Sequence, residues 1–507
     1  MDVRSLQSAV DLRQARLLAR AGRLSIEDLC DLLEELDRLR GQDQETIRRL
    51  AGEINRLKER LGQYEPEVKR EPPPADPSAK PSVSYSLDAE EKRRRGRRRK
   101  KKSPGRRPTE LKFADAQRVE EVVPDGWRRQ DCSVVRERAV WRLEDGRAVR
   151  VGYRIYRGPG SDEPTIPGVT RRCEYGIEVL VVLAFLVYAI GISQKKAAAV
   201  LRFFCELPLS RSQADALLRQ LAQHWEGEFD TVCDLLVHAA VVYTDETGWK
   251  IGVNGCSLWT FATERLRCFK FGCRKDADTL ESILPSARFE GILVSDDAAV
   301  YRDRYARSQK CWAHFLRKAI RLVVLYPGQR RYRRFLDELL PLYYDAKRAA
   351  ADGRLGEPGR KRRVAEFEAH LAGLCLRYGP DWMPTTKPHE HEFAKLVNEL
   401  AGRLAAEQLF TFVLEPGVEA TNNLSERLLR GAAQDRKLGR TSKTPAGAAR
   451  RSVIVSILET LRANLPEFTF SSVVNEVRCW MDEGVSLLDN LWTTFVTTQA
   501  APVPNSS

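Results

Sequence analysis

VVYTDETGWKI, residues 241–251, is the stretch on which the reading of the fold turns. Its β-branched opening predicts a buried strand that ends in two adjacent acids, Asp245 and Glu246, before turning at Gly248. A carboxylate taken out of water must be paired, protonated or bound to a metal, so the question is which other acids can meet it. Downstream, Val253-Asn254-Gly255 reads as a turn, and SLWTFAT and RCFKFG complete three antiparallel strands. DADTLESILPSA reads as a helix and GILVSD, 291–296, as an apolar strand that again ends in acid. SQKCWAHFLRKAIRLVVL reads as a short strand running into a helix. Residues 329–413 are mostly long charged helices, apart from the apolar LFTFVL near their end.

This order matches a ribonuclease-H-like layout, with the first strand central and the fourth parallel beside it. Asp245 would then lie next to Asp296 or Asp297, and Glu426 could come in from a helix packed across the sheet. Three converging carboxylates repel and raise at least one pKa, and divalent cations remove that repulsion. Hard oxygen ligands suit Mg²⁺, and a pair of such ions serves phosphoryl displacement. Each acid also has a structural reading. Asp245 could punctuate a strand end, Asp296 or Asp297 could cap the helix DAAVYRDRYA, and Asn423-Leu-Ser-Glu426 fits a capping box.

The net charge of +14 has a narrow source. KRRRGRRRKKKSPGRR, 92–107, holds twelve Lys and Arg and no acid, and without it basic and acidic residues stand at 72 against 70. The run reads as a solvated arm whose clustered cations release counterions on binding nucleic acid; Lys92, Arg93, Arg94, Arg95, Arg97, Arg98, Arg99, Lys100, Lys101 and Lys102 are its non-specific DNA contacts. Before it, Ile26, Leu33, Ile47, Ile54 and Leu61 share one heptad position and Leu29, Leu36, Leu50 and Leu57 another. That pattern predicts a coiled coil and self-association, with an intramolecular helical hairpin as the other reading. The eleven cysteines include no CxxC, so Cys132 and Cys173 cannot complete a four-ligand zinc site, and no structural zinc is expected. His389-Glu390-His391-Glu392 lacks HExxH spacing and reads as a solvated helix start. The polar start MDVRSLQSAVDLRQ does not read as a signal peptide. VLVVLAFLVYAIGI, 179–192, is shorter than the roughly 20 residues that span a bilayer, so it reads as a core helix. SQKKAAAVLRFFCELPLSRSQADALLRQL gives two helices joined by ELPLS, with Ser210 or Ser212 as cap, either a helix-turn-helix or an ordinary helical hairpin.

The chain resembles the IS66 family transposases of bacterial insertion sequences. The matching words are TDET at 244–247, GILVSDDAAVY at 291–301, KCWAHFLRKA at 310–319, NNLSERLLR at 422–430 and RKLGRTSKTPAGAARRSVIVSILET at 436–460. The resemblance implies a DDE transposase whose acids map onto Asp245, Asp296 and Glu426, with Asp296 chosen over Asp297 because Tyr301 matches the family's tyrosine. Those three would be both catalytic residues and ligands of two Mg²⁺ ions, with Mn²⁺ as a substitute. His314, Arg317, Asn422, Asn423, Arg427 and Lys437 would touch DNA or orient the acids. Gly248 stands where relatives usually carry proline.

The implied chain is a multidomain α+β protein. It has a coiled coil over 1–64, a Pro-rich and basic linker over 65–112, a small β-rich module over 113–175 and a helical, DNA-binding module over 176–238. A ribonuclease-H-like core follows over 239–328 and 415–465, split by a helical insertion over 329–414, before a C-terminal helix and tail over 466–507. Its partners would be double-stranded DNA, at element ends and target, a second copy of itself and any helper proteins of the element, in the bacterial cytoplasm at the nucleoid, with no membrane. Two rivals share these features: a non-catalytic DNA-binding regulator derived from such an enzyme, and a structure-selective nuclease of the same fold.

Overall fold

The computed structural model describes residues 107–302, 304–379 and 387–500, with side chains to 493, and the single position Gly52. The heptad repeat and the basic run 92–102 lie outside these residues. Helix α1 (Thr109–Ala114) begins inside the stretch expected to be linker. Strands β1 (Arg118–Val122), β2 (Ser133–Glu144) and β3 (Arg147–Arg157) form a sheet in the order β1-β3-β2. Asp145 and Gly146 close the β2–β3 hairpin with φ of 48° and 78°, the paired positive values a tight two-residue turn requires.

A helical layer follows. The apolar run 179–192 falls in buried α2 (Ile177–Ala184) and the π-turn after it. Then come α3 (Gln194–Cys205), α4 (Arg211–His224) and α5 (Glu226–Val237). Ser210 is the cap of α4: its hydroxyl accepts from the Gln213 amide at 3.3 Å, and Gln213 accepts from the Ser210 amide at 2.9 Å.

The second sheet contains β4 (Val241–Ile251), β5 (Asn254–Ala262), β6 (Arg267–Cys273), β7 (Ile292–Ser295) and β8 (Ser308–Lys310), with the short helix α6 (Ala277–Glu281) between β6 and β7. Its order is β6-β5-β4-β7-β8, so the first strand is central and the fourth lies parallel beside it. Two local expectations need correction. β4 does not turn at Gly248 but runs on to Ile251, pairing Asp245 with Thr260 and Gly248 with Ser257. The turn is Gly252-Val253, because Gly252 takes the positive φ of 61° and Ile251 still pairs with Asn254. What stops near the acids is the neighbouring strand: β7 pairs with β4 only over Val241–Tyr243. From Thr244 onward that side of β4 has no ladder, and Asp245 is the first acid beyond the gap.

Helices α7 (Trp312–Leu325), α8 (Arg330–Ala351), α9 (Glu357–Tyr378) and α10 (Pro388–Ala405) build a helical body whose core continues onto one face of the sheet through Tyr243, Ile292 and Val294. LFTFVL, the one apolar stretch there, contains the single-turn helix α11 (Thr411–Leu414) rather than a strand. It covers the β8 edge: the Lys310 amide donates to the Gln408 carbonyl at 2.7 Å, and the Gln309 side chain binds the Leu409 carbonyl and the Phe412 amide.

The opposite edge is covered by hydroxyls. Helix α12 (Asn423–Lys437) crosses β4, and α13 (Pro445–Asn464) lies along β6. Ser452, Ser456 and Thr460, one helical turn apart on α13, accept from the Phe271, Phe269 and Arg267 amides at 2.9, 2.8 and 3.1 Å. An edge strand that would otherwise template aggregation is thereby satisfied. Ser456→Ala strands the Phe269 amide and should lower unfolding free energy by about 1–3 kcal/mol; an unchanged urea midpoint would contradict this. Helices α14 (Phe470–Arg478) and α15 (Leu487–Ala500) complete the described chain.

Candidate functional site

The pleat of β4 sorts its acids. Side chains alternate across a strand, so Asp245 shares a face with Thr247 and Trp249, and Glu246 takes the other. The first face meets α12, whose Arg436 donates to the Thr247 hydroxyl at 3.1 Å and the Gly248 carbonyl at 2.8 Å. On the second face Glu246 is neutralised: the Tyr301 hydroxyl donates to it at 2.5 Å, and Lys275 forms an ion pair with it. Tyr301, expected only as a marker for Asp296, has this contact as its visible work.

Asp245 has no such relief. Its described hydrogen bond is from the adjacent Glu246 amide, at 2.9 Å. Burial first, then the charge of Asp296, then those of Glu246 and Glu426, push its carboxyl up to about 7. Asp296 sits at the C-terminus of β7 and accepts from the Ala298 amide at 2.9 Å. The helix expected there is only a single 3₁₀ turn, Ala299–Tyr301. Asp297 is not its cap; it forms a buried ion pair with Arg403 of α10. That contact separates the two acids: Asp297 belongs to the scaffold, and Asp296 has no basic partner among the described residues.

Glu426 stands in the first turn of α12, which starts at Asn423 with Asn422 as the preceding residue. The capping box is therefore not formed, because Glu426 is one position too far along the helix. Instead Arg317 donates to the Glu426 carboxylate at 2.8 Å, and His314 Nδ1 lies 3.9 Å from it. Asn422 is fully buried and ties three elements together. Its side-chain amide donates to the Thr244 carbonyl at 2.7 Å, its oxygen accepts from the Ser425 hydroxyl at 2.8 Å, and its backbone amide meets Cys311 Sγ at 3.2 Å. It thus locks the start of the Glu426 helix against the residue before Asp245. Asn422→Ala should lower stability by about 1–3 kcal/mol, since it orphans buried partners; thermal melting with no shift would contradict this.

A model described as the Transposase IS66 family matches residues 172–450, more than half of the chain. The chain belongs to that family. No curated protein gives a match. In this IS66-family chain the matched span begins ahead of α2, takes in the whole five-stranded sheet, the helical body and α12, and stops within α13. No described helix is long and apolar enough to cross a membrane.

Not every expected residue of this family member converges. His314 and Arg317 reach Glu426, and Asn422 reaches the Thr244 carbonyl beside Asp245. The His314 imidazole is held below its usual pKa, chiefly by burial and then by Arg317. Asn423 is exposed at the helix start. Arg427 turns to a cavity of about 320 Å³ lined also by Tyr188, Phe271 and Arg440. Lys437 lies eleven residues beyond Glu426, about 16 Å along α12. The three acids themselves do not close to 4.8 Å of one another; among the described residues the donor triplet that does is Cys311, His314 and Glu426.

The sequence reading missed Arg403 and Lys310. Lys310 is fully buried behind Asp296, donates to the Ser295 hydroxyl at 2.9 Å, and sits 5.3 Å from the Tyr301 ring centroid. Burial, then Arg403, lowers its pKa to about 8, against the opposing charges of Asp297 and Asp296. A lysine ending the short strand SQK, directly ahead of Cys311-Trp312, was the available signal; Arg403, in the last turn of α10, offered none.

Proposed function

We propose that this protein is a DDE-type DNA transposase that hydrolyses phosphodiester bonds at the ends of its element and joins the freed 3′-hydroxyl to target DNA. The observation that carries the reading is Asp245: a half-buried carboxylate with no basic partner among the described residues, raised to about 7 by burial first and then by Asp296, Glu246 and Glu426. An all-oxygen donor set with that repulsion suits Mg²⁺, and Mn²⁺ equally in kind. Asp245, Asp296 and Glu426 would hold the ions. A bound pair of such ions would stabilise both the attacking and the leaving oxygen.

The remaining residues act by positioning. Asn422 fixes α12 on β4, and Asp297, pinned by Arg403, holds the loop that presents Asp296. Arg317 is 56% exposed and its guanidinium fork matches phosphate, so it is suited to DNA once released from Glu426. No covalent enzyme intermediate is needed, because positioning and charge neutralisation supply most of such catalysis.

The strand order and the crossing helix α12 support a ribonuclease-H-like core, with the helical body as its insertion. The module ahead of it, with α3 and α4 as its helix pair, would read the DNA end. The N-terminal heptads would pair protomers so that two ends are cut together, the basic run would add non-specific DNA affinity, and element-encoded helpers could join at the nucleoid.

Purified full-length protein incubated with labelled element-end DNA and Mg²⁺, beside an Asp245→Asn control, tests the reading. Nicking plus strand transfer, lost in the control, is expected. Nicking without joining points to a structure-selective nuclease, and binding without cutting to a regulator; either overturns the proposal.

A further inference from the structure

Cys311, His314 and Glu426 offer a sulfur, a nitrogen and a carboxylate oxygen that all lie within 4.8 Å of one another. Cys311 is 1% exposed and precedes α7, and His314 follows three residues later on that helix. Glu426 enters from α12. The sulfur is held in place by the Asn422 amide at 3.2 Å. His314 Nδ1 is shielded from solvent and has no hydrogen-bond partner, an uncommon state for a buried polar atom. It points at Glu426, 3.9 Å away.

This donor set differs in kind from the acids on β4 and β7. Mg²⁺ has little use for a thiol or an imidazole, whereas Zn²⁺ and related borderline ions take sulfur, nitrogen and carboxylate together. The geometry points to a second cation site, built from Cys311 Sγ, His314 Nδ1 and the Glu426 carboxylate, that takes a Zn²⁺-class ion (Zn²⁺, Co²⁺ or Cd²⁺) and shares Glu426 with the Mg²⁺ ligands. Cys-x-x-His is a familiar metal-ligand spacing, and three protein donors leave one tetrahedral position for water or a phosphate oxygen. On binding, the thiol proton leaves to solvent, and Arg317, more than half exposed, swings off Glu426. The site stands on geometry alone. Its consequence rests on the proposed function: an ion held there withdraws Glu426 from the hard-ion set and stops cleavage.

Titrating Co²⁺ into the reduced, Mg²⁺-free full-length protein tests the site without relying on activity. One equivalent should give tetrahedral d–d bands with a thiolate-to-cobalt charge-transfer band. Cys311→Ser should abolish the charge-transfer band, and His314→Ala should weaken binding by at least about tenfold. Asp245→Asn should retain both features. Circular dichroism checks that each variant folds, and the two ligand variants allow either one to decide if the other does not. No charge-transfer band in the wild type, or a spectrum unchanged in both ligand variants, overturns the site. In the cleavage assay, Zn²⁺ added at fixed Mg²⁺ should inhibit the wild type and spare Cys311→Ser. If the protein proves inactive on DNA, the cobalt spectrum still decides the site, so the two proposals can fail separately.

Discussion

Asp245→Asn is expected to abolish DNA cleavage and joining, by at least about a thousandfold, and to make the metal-free protein more stable at alkaline pH. The two effects have one cause. The folded protein holds the Asp245 carboxyl up to about 7, well above the value near 3.9 of an unfolded aspartate. The folded state therefore binds a proton that the unfolded state has already released, and stability falls as pH rises from about 4 to about 7. Above that range the buried charge persists and the penalty is complete. Asparagine removes it, so the variant should gain about 1–3 kcal/mol at pH 8, below the limit of 1.36 kcal/mol per pKa unit because Asp245 is not wholly sealed from water. The gain should shrink as the pH is lowered toward 4. Urea denaturation in EDTA at both pH values measures it. A variant that is less stable at pH 8 would assign Asp245 a structural role.

The second large effect is expected at Arg403, far from Asp245 in sequence. Arg403→Leu leaves Asp297 charged and unpaired where both side chains of the pair are at most a tenth exposed. Breaking a buried pair from one side costs about 3–5 kcal/mol, much more than the pair itself contributes. Because Asp297 adjoins Asp296, cleavage should fall as well, even though Arg403 touches no DNA in the proposed mechanism. Adding Asp297→Asn removes the orphaned charge and should recover most of the stability. Chemical denaturation of the single and double variants measures the coupling; a single variant within 0.5 kcal/mol of wild type, a bound set at the usual size of neutral surface changes, would contradict the buried-pair reading.

Much of the sheet was legible because its signals are local. β-branched runs separated by turns gave β4, β5 and β6, and an uninterrupted apolar run gave β7, buried on both faces. The limits of the turns were less legible: Gly248 looks like a breaker, yet the ladder with β5 carries it, and Gly252 holds the hairpin. LFTFVL has strand-like composition, but its Leu409 and Phe412 meet β8 through the Gln309 side chain rather than a backbone ladder, and Thr411–Leu414 fold into one helical turn.

The acids followed the same division. Alternation alone places Asp245 and Glu246 on opposite faces, but nothing local says that Lys275 and Tyr301 neutralise one and leave the other. Asp296 and Asp297 are equivalent as sequence; Arg403, more than a hundred residues on, distinguishes them by pairing with the second. Glu426 resembled a capping residue until the helix start was fixed at Asn423. The Cys311–His314–Glu426 grouping was hidden because its members come from two helices separated by the whole helical body.

The most direct measurement is anomalous scattering from crystals of the protein grown with Mn²⁺ and its end DNA. Two manganese peaks are expected among the Asp245, Asp296 and Glu426 carboxylates, with Arg317 moved off Glu426 toward a phosphate. No manganese at these carboxylates, with Arg317 still on Glu426 and DNA bound elsewhere, would contradict the shared cation site on which the proposed chemistry depends.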